Sequence, residues 1–375
     1  MSSLRTCGLL LVIGLLCLAA SARADAPADE ARFQAFDLAM ARDYLLPRYQ
    51  ALAAATAAQE KGWTAFCRQP TADGFAAMRS AFQDAMDAWM PLQHVRAGPA
   101  SLKTRIERIY FWPERKNIVA RQVGAMLQSA DAAALAPERM ATASVAVQGF
   151  PALQLLLYDG DDPARRFLSG DPPAAYRCAV AAAVAANLAA IAAQLVEDWN
   201  AAITAMSATP PRPVDGFGLA PSPKETAQLL FTDLLTLFQL VGDIKLALPL
   251  GVSVDRPEPK FAEGSRSSRS LRNLELNLES AEAMIGQNRK SGFSLLLPPT
   301  AEADALERKI AEGFAAVFPA LAAIPLPLAP AVGDPAARPK VEALLADIRK
   351  VRDLVGQQLA PAVGLAVGFN GLDGD

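Results

Sequence analysis

The chain has 375 residues, of which 52% are hydrophobic, 20% charged and 7% aromatic; that balance excludes disorder of the whole chain and supplies enough apolar surface for two cores. Its 36 Lys and Arg against 39 Asp and Glu leave a formal charge of −3, so no basic footprint for nucleic acid is present. Only one histidine, His94, occurs, which excludes a His-x-x-x-His zinc pair and most zinc hydrolase sites.

Residues 1–24 carry the three parts of a secretory signal: Arg5, the apolar run from Cys7 to Ala20, and the small-residue end Ala22-Arg23-Ala24. Cleavage is expected after Ala24, leaving the mature chain free in the periplasm; Cys17 follows Leu15-Leu16, a poor context for lipid attachment. No transmembrane span is expected, because even the Ala-rich 179–196 stretch is interrupted by Asn187 and Gln194. With Cys7 and Cys17 removed, Cys67 and Cys178 remain. In an oxidising compartment they read as a disulfide that closes a loop of more than a hundred residues and stabilises by roughly 4–5 kcal/mol on the chain-entropy model. Two buried thiols are the alternative, and a redox pair is disfavoured by the absence of Cys-x-x-Cys.

Helix formers dominate and alternating Val/Ile/Thr runs are missing, so the fold class is all-α. Helices are expected at about 29–60, 72–93, 101–109, 114–129, 138–157, 172–205, 224–248, 267–287, 301–323 and 338–361. Pro47 lies inside the first and predicts a kink or break at Leu45 to Arg48. The strongest punctuation is the proline-rich stretch 208–223, across which composition changes: every Trp and Tyr lies before residue 200. The chain therefore reads as two tandem helical-bundle domains, 25–207 and 224–375, joined by a linker at 208–223. A second proline-rich stretch, 324–330, separates the last two helices.

Four segments interrupt the Ala/Leu background. In Trp89-Met90-Pro91-Leu92-Gln93-His94-Val95-Arg96-Ala97-Gly98-Pro99 a helix ends in a loop that carries His94, a helix-end residue or a ligand. Arg105 to Glu114 is a short amphipathic helix running into the aromatic turn Tyr110-Phe111-Trp112-Pro113, which reads first as packing. Val147 to Tyr158 contains Gly149, a point of bend or close backbone approach, followed by Pro151 and Gln154 on one helical face. In Glu258 to Glu279, Ser265 or Ser267 is placed to cap the next helix, and Arg266, Arg269 and Arg272 recur along one edge, facing either an anion or neighbouring carboxylates. Asn273 and Asn277 share a face suited to meet the other domain.

Taken together, Phe66-Cys67, Trp89 with Arg96-Ala97-Gly98-Pro99, Arg108 with Trp112-Pro113, the Gly149 segment, Tyr176-Arg177-Cys178 leading to Trp199, Glu263 to Ser270 with Asn273 and Asn277, and the ending Gly368 to Asp375 resemble the imelysin-like family of bacterial envelope proteins. The resemblance implies a pair of helical bundles with a site at their interface, an envelope location, a link to iron-regulated expression or iron uptake, and a peptidase label. Members carry a Gly-x-His-x-x-Glu motif proposed to bind metal, and the matching residues are Gly149, Pro151 and Gln154. Both ligand positions are replaced, which points to a divergent subgroup.

The favoured reading is a non-catalytic binding or accessory protein in iron uptake or handling, with iron or a ferric chelate as candidate ligand and iron-uptake or other envelope proteins as candidate partners. Its candidate contacts are His94, Arg96, Arg108, Trp112, Gln154, Glu263, Ser267, Arg269 and Asn273, because arginine forks suit an anionic chelate or an acidic saccharide. A metal-dependent peptidase is disfavoured by the residue types, and no Gly-x-Ser-x-Gly elbow supports a serine mechanism. The third reading is an envelope partner-binding module; a pocket walled by arginines and Trp112 favours a ligand, a flat apolar patch a protein. Asn370, Asp373 and Asp375 at the acidic end read as a solvated tail, with a hard cation as the lesser alternative.

Overall fold

The computed structural model describes residues 29–114 and 116–367. The signal segment and its cleavage point, and the ending Gly368 to Asp375 with its acidic residues, lie outside the described residues. Among those described the fold is helical throughout, with one isolated antiparallel bridge between Ser253 and Arg256.

Helix α1 runs over 29–68 and α2 over Ala72–Trp89, where Thr71 accepts from the Gly74 amide as N-cap. The short helices α3 (Arg105–Ile109), α4 (Ile118–Ser129), α5 (Pro137–Thr142) and α6 (Gly149–Tyr158) follow. Helix α7, Pro172–Met206, is 35 residues long and closes the first half. By length and apolarity it alone among the described helices could cross a membrane; in this fold it packs along α1 and α6, and Val184, Ala185, Leu188, Leu195 and Trp199 are buried. The second half comprises α8 (Pro223–Gln239, continuing to Leu250), α9 (Ser270–Ile285), α10 (Ala301–Ala322) and α11 (Arg338–Leu354).

Cys67 at the end of α1 is disulfide-bonded to Cys178 in the first turns of α7, at a Cα–Cα distance of 5.6 Å. Beside it Trp63, Phe66, Phe75 and Phe167 form one aromatic cluster. The opposite end of α1 leaves this bundle: Phe36 packs on Phe293, Phe293 on Phe231, and the Tyr44 hydroxyl meets Ser280. One helix thus contributes to the apolar packing of both halves.

Local departures from the sequence expectation have identifiable causes. Pro47 does not break α1: Leu45 and Leu46 keep right-handed helical dihedrals, and residues Met40–Leu45 are wound as a π-helix. The wider turn before the proline accommodates its ring and its missing N–H. The single helix expected at 138–157 is instead α5, a 3₁₀ turn at Val145–Val147, and α6. Gly149 forces the last break. It has φ +68°, and a β-carbon there would lie 2.1 Å from the Ile109 carbonyl oxygen; only glycine brings α6 this close to α3.

Candidate functional site

The site is built around the loop that follows α2. After Trp89 the chain makes a 3₁₀ turn at Met90–Leu92, and the second half then grips it from two helices. From α9, Asn277 donates to the Met90 carbonyl and Ser280 to the Pro91 carbonyl, both at 2.7 Å. From α8, one oxygen of Asp233 accepts the backbone N–H groups of Arg96 and Ala97, both at 2.8 Å. Burial pushes the Asp233 carboxyl up to about 7, while these two amides and the Arg96 guanidinium hold it from rising further. Gly98, with φ +91°, lets the Trp199 indole lie against the loop backbone.

This loop forms one wall of a cavity of about 480 Å³. Its walls include Trp89, His94 and Arg96 from the loop, Tyr110 and Trp112 from the turn after α3, and Asp233 from α8. The Arg96 side chain is exposed, and its guanidinium makes no ion pair or side-chain hydrogen bond among the described residues. His94 is 1% exposed, and neither ring nitrogen has a hydrogen-bond partner among the described residues. Burial, reinforced by the charges of Arg96, Arg48 and Lys245, pushes its pKa down to about 3, so the imidazole is neutral at physiological pH.

Behind the cavity lies a dry polar layer between the halves. Lys245 Nζ sits 2.6 Å from Glu263 Oε2 and also donates to the Gln93 and Asn277 side-chain oxygens. Both ions are 1% exposed. Burial lowers the lysine pKa, and Glu263 opposes that shift. The remaining capacity of Glu263 accepts Gln93 and Asn273, each at 2.8 Å. Tyr110 is buried beside it, which raises the phenol well above its ordinary pKa, and Lys245 Nζ lies 5.7 Å from the Trp112 ring centroid. Arg269 is saturated by Asn273, Gln83 and Asp87.

The expected contact residues therefore divide. His94, Arg96 and Trp112 meet in the cavity. Glu263, Arg269 and Asn273 belong to the polar layer, and Gln154 donates to Ser267 at 2.7 Å on the same interface. Arg108 points elsewhere, to Gln148 and Asn187. The edge of three arginines is already paired with carboxylates: Arg269 and Arg272 converge on Asp87, Arg272 also bonds Glu275, and Arg266 pairs with Asp159. Neither Ser265 nor Ser267 caps α9; its N-cap is Arg269, without a side-chain cap bond, and Ser267 bonds Gly264 instead. Gln93, Asp233, Lys245 and Asp87 join the site without having been singled out in the sequence. Asp233 and Lys245 left a signal, each being a lone charge on the buried face of an apolar run.

The sequence matches the imelysin family, Peptidase M75, over residues 45–355. The chain belongs to the imelysin family. No curated protein matches it. The fold is similar to an imelysin-like protein from Psychrobacter arcticus, with a TM-score of 0.72 and 19% identity, covering 91% of this chain and 98% of that one. It is also similar to a protein provisionally named an iron-regulated protein A precursor from Parabacteroides distasonis, with a TM-score of 0.63, 16% identity and coverages of 87% and 94%. At the segment whose sequence resembles the family's metal motif, this imelysin presents Gly149 against the α3 backbone, Pro151 without a donor, and Gln154 engaged by Ser267. No group of three His, Cys, Asp or Glu side chains among the described residues is arranged to hold a metal ion. The residues present do not fit a family-type metal site.

Proposed function

We propose that this imelysin is a periplasmic, non-catalytic binding protein of iron uptake or handling that takes an anionic ligand, such as a ferric chelate, in the cavity between the α2 loop, the α3 turn and α8. The single observation that carries the reading is the exposed, unpaired Arg96 guanidinium beside a buried, neutral His94 whose ring nitrogens are both unpartnered. A guanidinium supplies two parallel N–H groups to a carboxylate or hydroxamate oxygen, and Trp112 and Tyr110 supply flat apolar walls. Support for a pre-formed receptor comes from the polar layer, whose satisfied hydrogen bonds hold the cavity floor in one arrangement. The link to iron rests on family membership and on the name of the Parabacteroides protein.

A peptidase reading finds no support in the residues, since the family motif lacks both ligands. The partner-module reading is less well supported than ligand binding. The candidate contacts line a concave cavity, whose wall also includes the exposed Leu229, and a concave site suits a ligand better than a flat protein surface.

The test is titration of the exported chain with ferric citrate and with gallium citrate while following tryptophan fluorescence. The expected result is saturable binding, weakened at least tenfold by Arg96→Ala and unaffected by Gln154→Ala. Loss of binding in Gln154→Ala with none in Arg96→Ala would move the ligand to the old motif and contradict the reading.

A further inference from the structure

A second cavity, of about 440 Å³, opens between the first turns of α1 and the proline-rich connection at 208–223. Its size suits a small organic molecule. One wall is Asp37, which is 5% exposed, and its Oδ1 has no hydrogen-bond partner among the described residues. A buried carboxyl normally finds a donor, so this one is exceptional. Pro211, Pro213, Pro221 and Pro223 on the opposite wall have no N–H to give, and the side-chain donors that also line the cavity, Gln34, Arg212, Ser222 and Thr226, do not hydrogen-bond Asp37 Oδ1. The charged groups facing Asp37 across the cavity are Glu30 and Asp215, both exposed carboxylates, and one cation, Arg212. Burial pushes the Asp37 carboxyl up to about 9. The cavity thus sets a buried carboxyl and two exposed carboxylates against apolar proline surface, with Arg212 as the one cation in its lining.

We infer that this cavity is a binding site for a small aliphatic primary ammonium ion, whose N–H groups supply the missing partners of Asp37 and whose stem packs against the proline wall. An ammonium donates three hydrogen bonds and complements the three carboxylates, whereas an anion would meet an excess of negative charge. Binding converts Asp37 from the protonated acid to the carboxylate of a buried ion pair and releases its proton to solvent. The proton released is that of Asp37, whose carboxyl is pushed up by burial. This site is separate from the Arg96 cavity and opposite to it in charge preference.

Calorimetric titration of the exported chain with pentylamine, with 1-pentanol as uncharged control, tests the assignment. The amine is expected to bind saturably and the alcohol not. Apparent affinity should rise up to tenfold per pH unit from pH 6 to 8, with close to one proton released. Asp37→Asn should lose at least tenfold in affinity, and Val214→Trp, which fills the cavity from the loop side, should lose as much without touching Asp37. Absence of amine binding, equal binding of the alcohol, or unchanged binding in both variants would overturn the proposal.

Discussion

His94 and Lys245 are buried ionisable groups that the structure treats in opposite ways. His94 has no partner and is held neutral, so its folded pKa of about 3 lies below the ordinary 6.5. The unfolded chain therefore binds more protons in that interval, and the stability associated with neutral His94 is present above pH 6.5 and lost as pH falls toward 3. Thermal unfolding from pH 7 to 4 should show a decline that flattens in His94→Phe; an unchanged slope would show that other groups carry the acid sensitivity. Lys245 is instead kept beside Glu263 by a full set of acceptors. Removing one ion strands the other in a dry site. Lys245→Met alone or Glu263→Gln alone should cost about 3–5 kcal/mol, with much of the loss recovered in the double variant. Chemical denaturation of the three proteins measures this, and additive losses would contradict it.

At the scale of elements, the helices expected from composition and spacing were legible, and their interruptions were legible only in part. Gly149 stood out as a place of bend or close approach. What the close approach serves, the seating of α6 on the Arg108 and Ile109 carbonyls, is a tertiary fact that no local pattern encodes. Gly149→Ala should therefore destabilise by about 2–4 kcal/mol, combining left-handed strain with a backbone clash, as read from thermal unfolding. A loss below about 1 kcal/mol would mean that α6 can shift away from α3 freely. Pro47 marked a real disturbance, since the winding changes from π to α at Leu45 and Leu46, but local rules supply the penalty without the remedy: Met40, Tyr44 and Leu45 of the π-wound turn are all drawn into buried contacts. The arginine edge at Arg266, Arg269 and Arg272 was visible, but its partner Asp87 lies on α2, far away in sequence.

For the whole molecule, the decisive feature is how the halves are joined. Helix α1 enters the packing of both, the disulfide ties its far end to α7, and α8 and α9 clamp the α2 loop through Asp233, Asn277 and Ser280. The face shared by Asn273 and Asn277 was readable from helical spacing; Asn277 does meet the other half at the Met90 carbonyl, whereas Asn273 stays within its own half on Glu263 and Arg269. The cavity itself was not readable, because its residues come from three separate segments that no local pattern brings together. Of the nine candidate contacts, the polar layer absorbs Glu263, Arg269 and Asn273 as structural groups. His94, Arg96 and Trp112 remain as the surface a ligand would touch. The most direct measurement is an anomalous-difference map from crystals of the exported chain soaked in ferric citrate, collected at the iron edge. The account predicts an iron peak within the cavity between Arg96, His94 and Trp112. A peak beside Gln154 and Ser267, or no bound iron at saturating chelate, would contradict it.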